Sequence, residues 1–440
     1  MSETIIPKSI VEEKIAAVGL KDLGKATIRE IVGLVNQLQD ATGVKFLRME
    51  MGEPGLLPSE IGTQAEIEAL KRGVAASYPM VDGVKELKQE ASRFVKNFMN
   101  IEISPAACIS TVGSMQGGYA TFLINNFLDP KKDTALFIDP GFPVQKQQYR
   151  VLGQKFVSFD VYNYRGKKLR EKLISFFEQG NINSIIYSNP NNPAWICLTD
   201  EELQIIGELC TKYDVIAVED LAYFAMDFRR DMSKPGEPPY QLSVANYTKN
   251  YVLLISSSKA FSYAGQRLAV TCISDAIFHR CYPNLKIRFG TEAYGYTFVM
   301  RILYSLSSGA SHSAQYALAA MFRAASDGKF NFVKEVSEYG ERAHRMKKLF
   351  VEAGFEIVYD KDIDQDLADG FYFTIQYPGK SGHEIIKELL CYGISAISLE
   401  NTGSEKINGL RACVSQIKLP MIDELEQRLK RFAANHRISN

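Results

Sequence analysis

The chain has 440 residues, with 51 Lys and Arg balanced by 51 Asp and Glu, so no net field draws it to nucleic acid or to an anionic membrane. A hydrophobic share of 46% beside 23% charged residues belongs to a globular protein with a large interior and excludes extended disorder. At this length two or so domains are expected, and the classes that remain are a small-molecule enzyme or a small-molecule binding module.

Seven cysteines stand singly at Cys108, Cys197, Cys210, Cys272, Cys281, Cys391 and Cys413, with no Cys-x-x-Cys. That usage reads as reduced, mostly buried thiols of a cytosolic protein. Met1-Ser2-Glu3-Thr4 lacks the basic and apolar segments of a secretion signal, and no run of about 18 apolar residues occurs. A cytoplasmic protein without a membrane span is therefore the expectation.

In chain order, Ile28, Ile31, Val32, Val35 and Leu38 mark an apolar stripe at helical spacing, read as core or dimer packing. Met51-Gly52-Glu53-Pro54-Gly55 then breaks regular structure as a hinge or pocket loop. A second loop, Tyr78-Pro79-Met80-Val81-Asp82-Gly83, precedes a helical period over 84–99. A short strand over 108–112 runs into Gly113-Ser114-Met115-Gln116-Gly117-Gly118 and an apolar helix. A strand, a Gly/Ser turn and a helix start form an anion site, because free N–H groups and the helix dipole favour phosphate. On its own this signal is weak.

The pattern then alternates between strands and helices. Strands over 134–138, 184–188, 215–219 and 251–255 end respectively at Asp139-Pro140-Gly141-Phe142-Pro143, at Asn189-Pro190-Asn191-Asn192-Pro193, at Asp220-Leu221-Ala222-Tyr223 and at Ser256-Ser257-Ser258-Lys259. This implies an α/β fold whose mostly parallel central sheet is sandwiched by helices, with each polar cluster at the carboxyl edge where ligands bind. One long helical pattern covers 315–353. Strands over 355–358, 370–375 and 409–414 follow, interleaved with helices. The expected division is a large α/β domain over 53–315 and a smaller α+β domain made of 1–52 and 316–440, closing over the site.

Gly52 in its loop, Tyr78-Pro79, the Gly113-Ser114 turn, the Asn-Pro-x-Asn-Pro run, Asp220-x-x-Tyr223, Ser256-x-Ser258-Lys259, Arg267 after Gly265-Gln266, and Arg411 occur in one order. In that order the chain resembles the fold-type-I pyridoxal-5'-phosphate enzymes, specifically class I/II aminotransferases such as the aspartate and aromatic aminotransferases. The resemblance implies that Lys259 forms an imine with the cofactor aldehyde and afterwards moves a proton between Cα and C4'. It assigns Asp220 to the pyridinium nitrogen, Tyr223 and Asn192 to O3', and Phe142 to the ring face. The phosphate falls to Gly113, Ser114, Met115, Ser256, Ser258 and Arg267. Tyr78 is implied to reach the phosphate of a neighbouring subunit, hence a homodimer with shared sites. Arg411, with Gly52 and Asn192 beside it, is implied to hold the substrate α-carboxylate.

The implied activity is a ping-pong transfer of an α-amino group between an L-amino acid and a 2-oxo acid. Alternatives on the same fold are a C–S lyase, a decarboxylase, or a non-catalytic regulatory protein. The chain departs from the family at Ala194-Trp195, where Thr-Gly is usual, so Trp195 either packs or narrows the substrate entrance. The aromatic stretch 289–313, with Tyr294, Tyr296, Phe298 and Tyr304, resembles the family poorly. By the resemblance, a residue of the partner subunit from this region reads the substrate side chain; Arg288 and Arg301 are candidates for such a dicarboxylate clamp, though a structural role is the simpler reading. Dicarboxylic, aromatic and neutral donors all remain compatible, and the aromatics favour neutral or aromatic ones.

Overall fold

The computed structural model describes residues 4–436, so Met1, Ser2 and Glu3, part of the segment read for a leader, lie outside it. In chain order the strands are β1 (Leu47–Arg48), β2 (Cys108–Thr111), β3 (Thr134–Asp139), β4 (Lys155–Asp160), β5 (Ile182–Ser188), β6 (Ile216–Leu221), β7 (Tyr251–Ser256), β8 (Ala269–Ile273), β9 (Glu356–Ile357), β10 (Lys361–Asp362), β11 (Gln365–Asp366), β12 (Tyr372–Gln376), β13 (Ile394–Ser395), β14 (Ile397–Ser398) and β15 (Leu410–Cys413). Seven of them form one sheet in the order β2-β8-β7-β6-β5-β3-β4. Neighbours from β4 through β7 are parallel, while β8 runs antiparallel to both β7 and β2.

Burial on both faces explains why these strands are continuous apolar runs. On β3, Leu136 and Ile138 enter one core while Ala135 and Phe137 enter another. On β7, Leu253 and Ile255 face the first core, and Val252 and Leu254 the second. Helices Lys85–Met99 and Asp200–Tyr213 cover the first face through Phe94 and Leu203, and Gly113–Asn125 covers the second through Phe122 and Ile124. The expected α/β sandwich is the fold observed. β4 and β8 escaped the sequence reading, and β4 is one of the two edge strands, with Lys155 and Ser158 exposed.

A smaller antiparallel sheet, β14-β15-β12-β9, organises a third core. The helix Ile28–Thr42 joins this core through Ile31, Leu34, Val35 and Leu38; of the stripe read in sequence, Ile31, Val35 and Leu38 pack there, while Val32 lines the cavity described below and Leu34, not in the stripe, is buried instead. β1 pairs in parallel with β13, so the N-terminal segment is stitched to the C-terminal one. The hairpin β10–β11 is tied back to the main body by Asp362, which accepts from Arg165 Nη1 at 2.8 Å and Arg229 Nη2 at 3.0 Å. The single helical pattern expected over 315–353 is three helices, His312–Ser326, Phe332–Val336 and Glu338–Glu352. The first ends at Asp327-Gly328, where Gly328 takes a φ of 70° that favours glycine. His312–Ser326 packs into the first core through Leu318 and Phe322, and it spans the expected boundary at 315/316. Among the described residues no helix is long and apolar enough to cross a membrane.

Candidate active site

The carboxyl ends of β5, β6 and β7 open, together with β12 and β15, into a cavity of about 360 Å³. Gly52, Ser114, Met115, Phe142, Asn192, Asp220, Tyr223, Ser256, Ser258, Lys259, Arg267 and Arg411 all line it. Strand ends from one sheet edge and a strand of the second sheet therefore bring together residues spread over most of the chain.

Lys259 follows β7 by three residues, and its Nζ lies 5.7 Å from the centre of the Phe371 ring. Burial pulls its pKa from 10.5 down to about 8, with Arg267 and Arg411 acting in the same direction and Cys413 and Glu53 opposing. About a tenth of the amine is then neutral at pH 7 and half near pH 8. Asp220, near the end of β6, is buried and accepts from Gln145 Nε2 at 2.9 Å and from the Ala222 amide at 3.2 Å. Burial lifts its pKa to about 6 despite those two donors.

The Tyr223 hydroxyl donates to the Tyr372 hydroxyl at 2.9 Å, and burial raises the Tyr223 pKa well above 10, so it stays a phenol. Arg411 is buried on β15, where Nη2 donates to the Glu50 carbonyl at 2.7 Å and Nη1 to Asn192 Oδ1 at 3.2 Å. Its Cζ sits 4.5 Å from the centre of the Tyr372 ring, and its buried Nε has no partner.

On the other side of the cavity, helix Gly113–Asn125 begins without a side-chain cap. Gly113 holds a φ of 66°, and a Cβ there would lie 2.8 Å from Arg267 Nη2, so glycine lets the guanidinium lie across the helix start. The Ser114 hydroxyl is buried without a partner. The Ser258 amide donates to Ser256 Oγ at 3.1 Å. Unused N–H donors, hydroxyls and a guanidinium around one helix N-terminus suit a dianion such as a phosphate monoester.

Tyr78 does not line this cavity. It is 91% exposed and borders a separate surface groove with Met80, Tyr296 and Tyr304. Tyr294 and Phe298 are core residues. The aromatic stretch therefore supplies no wall of the Lys259 cavity within this chain. Arg288 stacks on Phe127 at 4.4 Å and Arg301 donates to the Phe289 carbonyl at 3.0 Å, both away from the cavity. Trp195 does not narrow the entrance. It is fully buried at a φ of 67°, its ring centre 5.1 Å from that of Tyr223, under Gly370, where a Cβ would come within 2.0 Å of the indole.

Sequence reasoning missed Tyr372, Gln145 and Arg29. Period-2 reading of β12 could have found the first, because Tyr372 pairs with Cys413 and Thr374 with Arg411, which sets Tyr372 and Arg411 on one face. Gln145 and Arg29 carry no pattern of their own.

Residues 44–429 match the family model described as Aminotransferase class I and II. An LL-diaminopimelate aminotransferase of Natranaerobius thermophilus is 22% identical over 346 residues, which cover 78% of this chain and 80% of that protein. The aspartate aminotransferase of Bacillus subtilis is 24% identical over 237 residues, spanning 54% of this chain and 58% of that relative. Among solved structures, the alanine aminotransferase from Pyrococcus furiosus superposes with a TM-score of 0.73 at 20% identity, over 93% of this chain and 97% of that one. A single mutant of the Thermus thermophilus aspartate aminotransferase gives 0.72 at 18% identity over 93% and 97% of the two chains, a likeness of fold. The chain belongs to the class I and II aminotransferases, fold-type-I enzymes that move amino groups with pyridoxal 5'-phosphate.

Proposed function

We propose that the cavity around Lys259 exchanges an α-amino group between an L-amino acid and a 2-oxo acid in two half-reactions. The observation that carries this reading is the shared cavity itself: a lysine of lowered pKa, a buried carboxylate and a buried arginine all line it. The residues present fit pyridoxal 5'-phosphate. The unpartnered Ser114 hydroxyl and the uncapped helix start offer donors to its phosphate, and Gly113 leaves room for Arg267. When bound, the cofactor supplies an electron sink that makes the Cα–H of an attached amino acid acidic.

In this reading Asp220 holds negative charge against the ring nitrogen, while Tyr223 and Asn192 hydrogen-bond the ring oxygen. Phe142 covers the ring face. Gly113, Ser114, Met115, Ser256, Ser258 and Arg267 hold the phosphate, joined by Tyr78 from a second copy of the chain in a homodimer. Arg411 takes the α-carboxylate beside the Gly52 amide, which fixes Cα near the Lys259 amine. Lys259, once neutral, removes the Cα proton and returns it one position away. The two bodies act as a large domain over 53–315 and a small one of 1–52 and 316–440, with the helix His312–Ser326 packed on the large one's core. The compartment proposed is the cytoplasm.

The relatives are named for donors both with and without a second charged group, aspartate and LL-diaminopimelate on one side and alanine on the other. The deciding experiment adds single amino acids to cofactor-loaded protein. Expected are pyridoxamine phosphate and one equivalent of 2-oxo acid, reversed on adding a different 2-oxo acid. Release of ammonia with pyruvate, or of carbon dioxide, would replace transfer by elimination or decarboxylation.

A further inference from the structure

Beyond the residues assigned above, the cavity wall contains Arg29 and Glu53 among the apolar side chains Ile28, Val32 and Met51. Glu53 already acts on the Lys259 amine, whose pKa it holds up. Arg29 has no hydrogen bond or ion pair with any described residue. It stands in the first turn of the helix Ile28–Thr42, closed by a capping box between Thr27 and Glu30. A cation is disfavoured there, because a helix N-terminus carries partial positive charge. The neighbouring acid gives no relief: the Glu30 carboxylate accepts from the Thr27 amide at 2.7 Å and the Thr27 hydroxyl at 2.8 Å. The side chain is exposed, so packing does not call for it either. A local rule broken without local compensation is the mark of a functional position.

We propose that Arg29 is the specificity-determining residue that receives a carboxylate at the far end of the substrate side chain, so that the amino donor is a dicarboxylic amino acid. This rests on the reading that Arg411 holds the α-carboxylate. Arg29 and the positive end of its own helix favour an anion together. Ile28 and Val32 flank it on the same helix and line the same cavity, an apolar surface for the methylenes between the two carboxylates. Within the chain, Arg288 and Arg301, the two arginines expected from sequence to reach a partner's site, are engaged by Phe127 and the Phe289 carbonyl. The proposal places side-chain reading on the helix Ile28–Thr42 of the same chain, whose Ile28, Arg29 and Val32 line the cavity.

The test uses cofactor-loaded protein as wild type, Arg29→Met and Arg29→Lys, with two unreactive probes, succinate and butyrate, measured by calorimetry. A charged hydrogen-bonded contact predicts that Arg29→Met weakens succinate about tenfold or more while butyrate is unchanged. Arg29→Lys should recover part of the loss. The half-reaction should follow the same split, with kcat/KM falling for aspartate or glutamate and holding for leucine. Equal weakening of both probes would mean a structural role, unchanged succinate would mean no contact, and a wild type that prefers leucine or phenylalanine to both acids would mean another specificity. Each of these overturns the proposal. If no amino acid reacts with the wild type, the aminotransfer reading fails, while the contrast between succinate and butyrate still decides the role of Arg29.

Discussion

Lys259 and Glu219 show how one physical effect, burial, acts in opposite directions on two side chains. For Lys259 burial lowers the pKa to about 8, so half the amine is neutral near that pH. Covalent capture of added pyridoxal phosphate should therefore speed up as pH rises toward about 8 and level off beyond it, where a solvated lysine would keep gaining to above 10. Lys259→Ala should leave no cofactor fixed to the chain by borohydride, and a mass spectrum of the treated protein reads this directly. Glu219 is fully buried on β6, accepts a hydrogen bond from Ser243, and has its pKa raised to about 7, burial outweighing its hydrogen bonds. Its folded pKa exceeds the ordinary 4.5, so the folded state holds the proton more tightly. The resulting stability is complete below pH 4.5, falls as pH rises, and is gone above about 7. Glu219→Gln should match the wild type in urea midpoint at pH 4.5 and exceed it at pH 8, by up to about 3 kcal/mol. At this scale the sequence was legible in position: Lys259 and Asp220, read at the ends of two strands, line one cavity. It was silent where a role depends on a contact across the fold, as between Tyr223 and Tyr372 or between Arg411 and Asn192.

The elements that carry the site differ in how plainly their residues announce them. β3, β5, β6 and β7 are buried on both faces, and their apolar runs were read correctly to within a few residues at each end. β4 hid because an edge strand needs only one buried face, and β1, β10, β11, β13 and β14 are two residues long, too short to show a period. The strand, turn and helix start from β2 into Gly113–Asn125 were legible in the sequence, yet the reason for the first glycine appears only in three dimensions. Gly113 is left-handed and lies against Arg267. Gly113→Ala should thus act twice, straining the backbone by roughly 1–2 kcal/mol and displacing the guanidinium. The expected readings are a lower melting temperature and a pyridoxal phosphate Kd raised about tenfold, with circular dichroism unchanged. An unaltered Kd in a destabilised protein would separate the turn from the phosphate.

Across the whole molecule, the residues read for the cofactor gather at one cavity apart from Tyr78, Gly113 alone of the others standing just behind its wall. Tyr78 points into solvent at 91% exposure, beside Met80, Tyr296 and Tyr304, in a groove distinct from the Lys259 cavity. Apolar and aromatic side chains gathered on a surface in this way mark a protein contact, because water disfavours contiguous apolar area. A homodimer that covers the groove would carry Tyr78 into the partner's site and account for both facts. Sedimentation should then give about twice the 49.3 kDa of the chain. Sharing is tested by mixing. Lys259→Ala alone should not capture the cofactor, and Tyr78→Phe alone should bind it weakly, having lost a phosphate donor. In a hybrid dimer the Tyr78→Phe chain keeps Lys259 and receives an intact Tyr78 from its partner, so one site per hybrid is complete. Unfolding and refolding the two variants together should therefore restore tight, borohydride-fixable binding in a fraction of the chains, all of them carrying the Tyr78→Phe substitution. If the mixture binds only as the average of its parts, Tyr78 serves its own chain or none, and the groove belongs to a different contact.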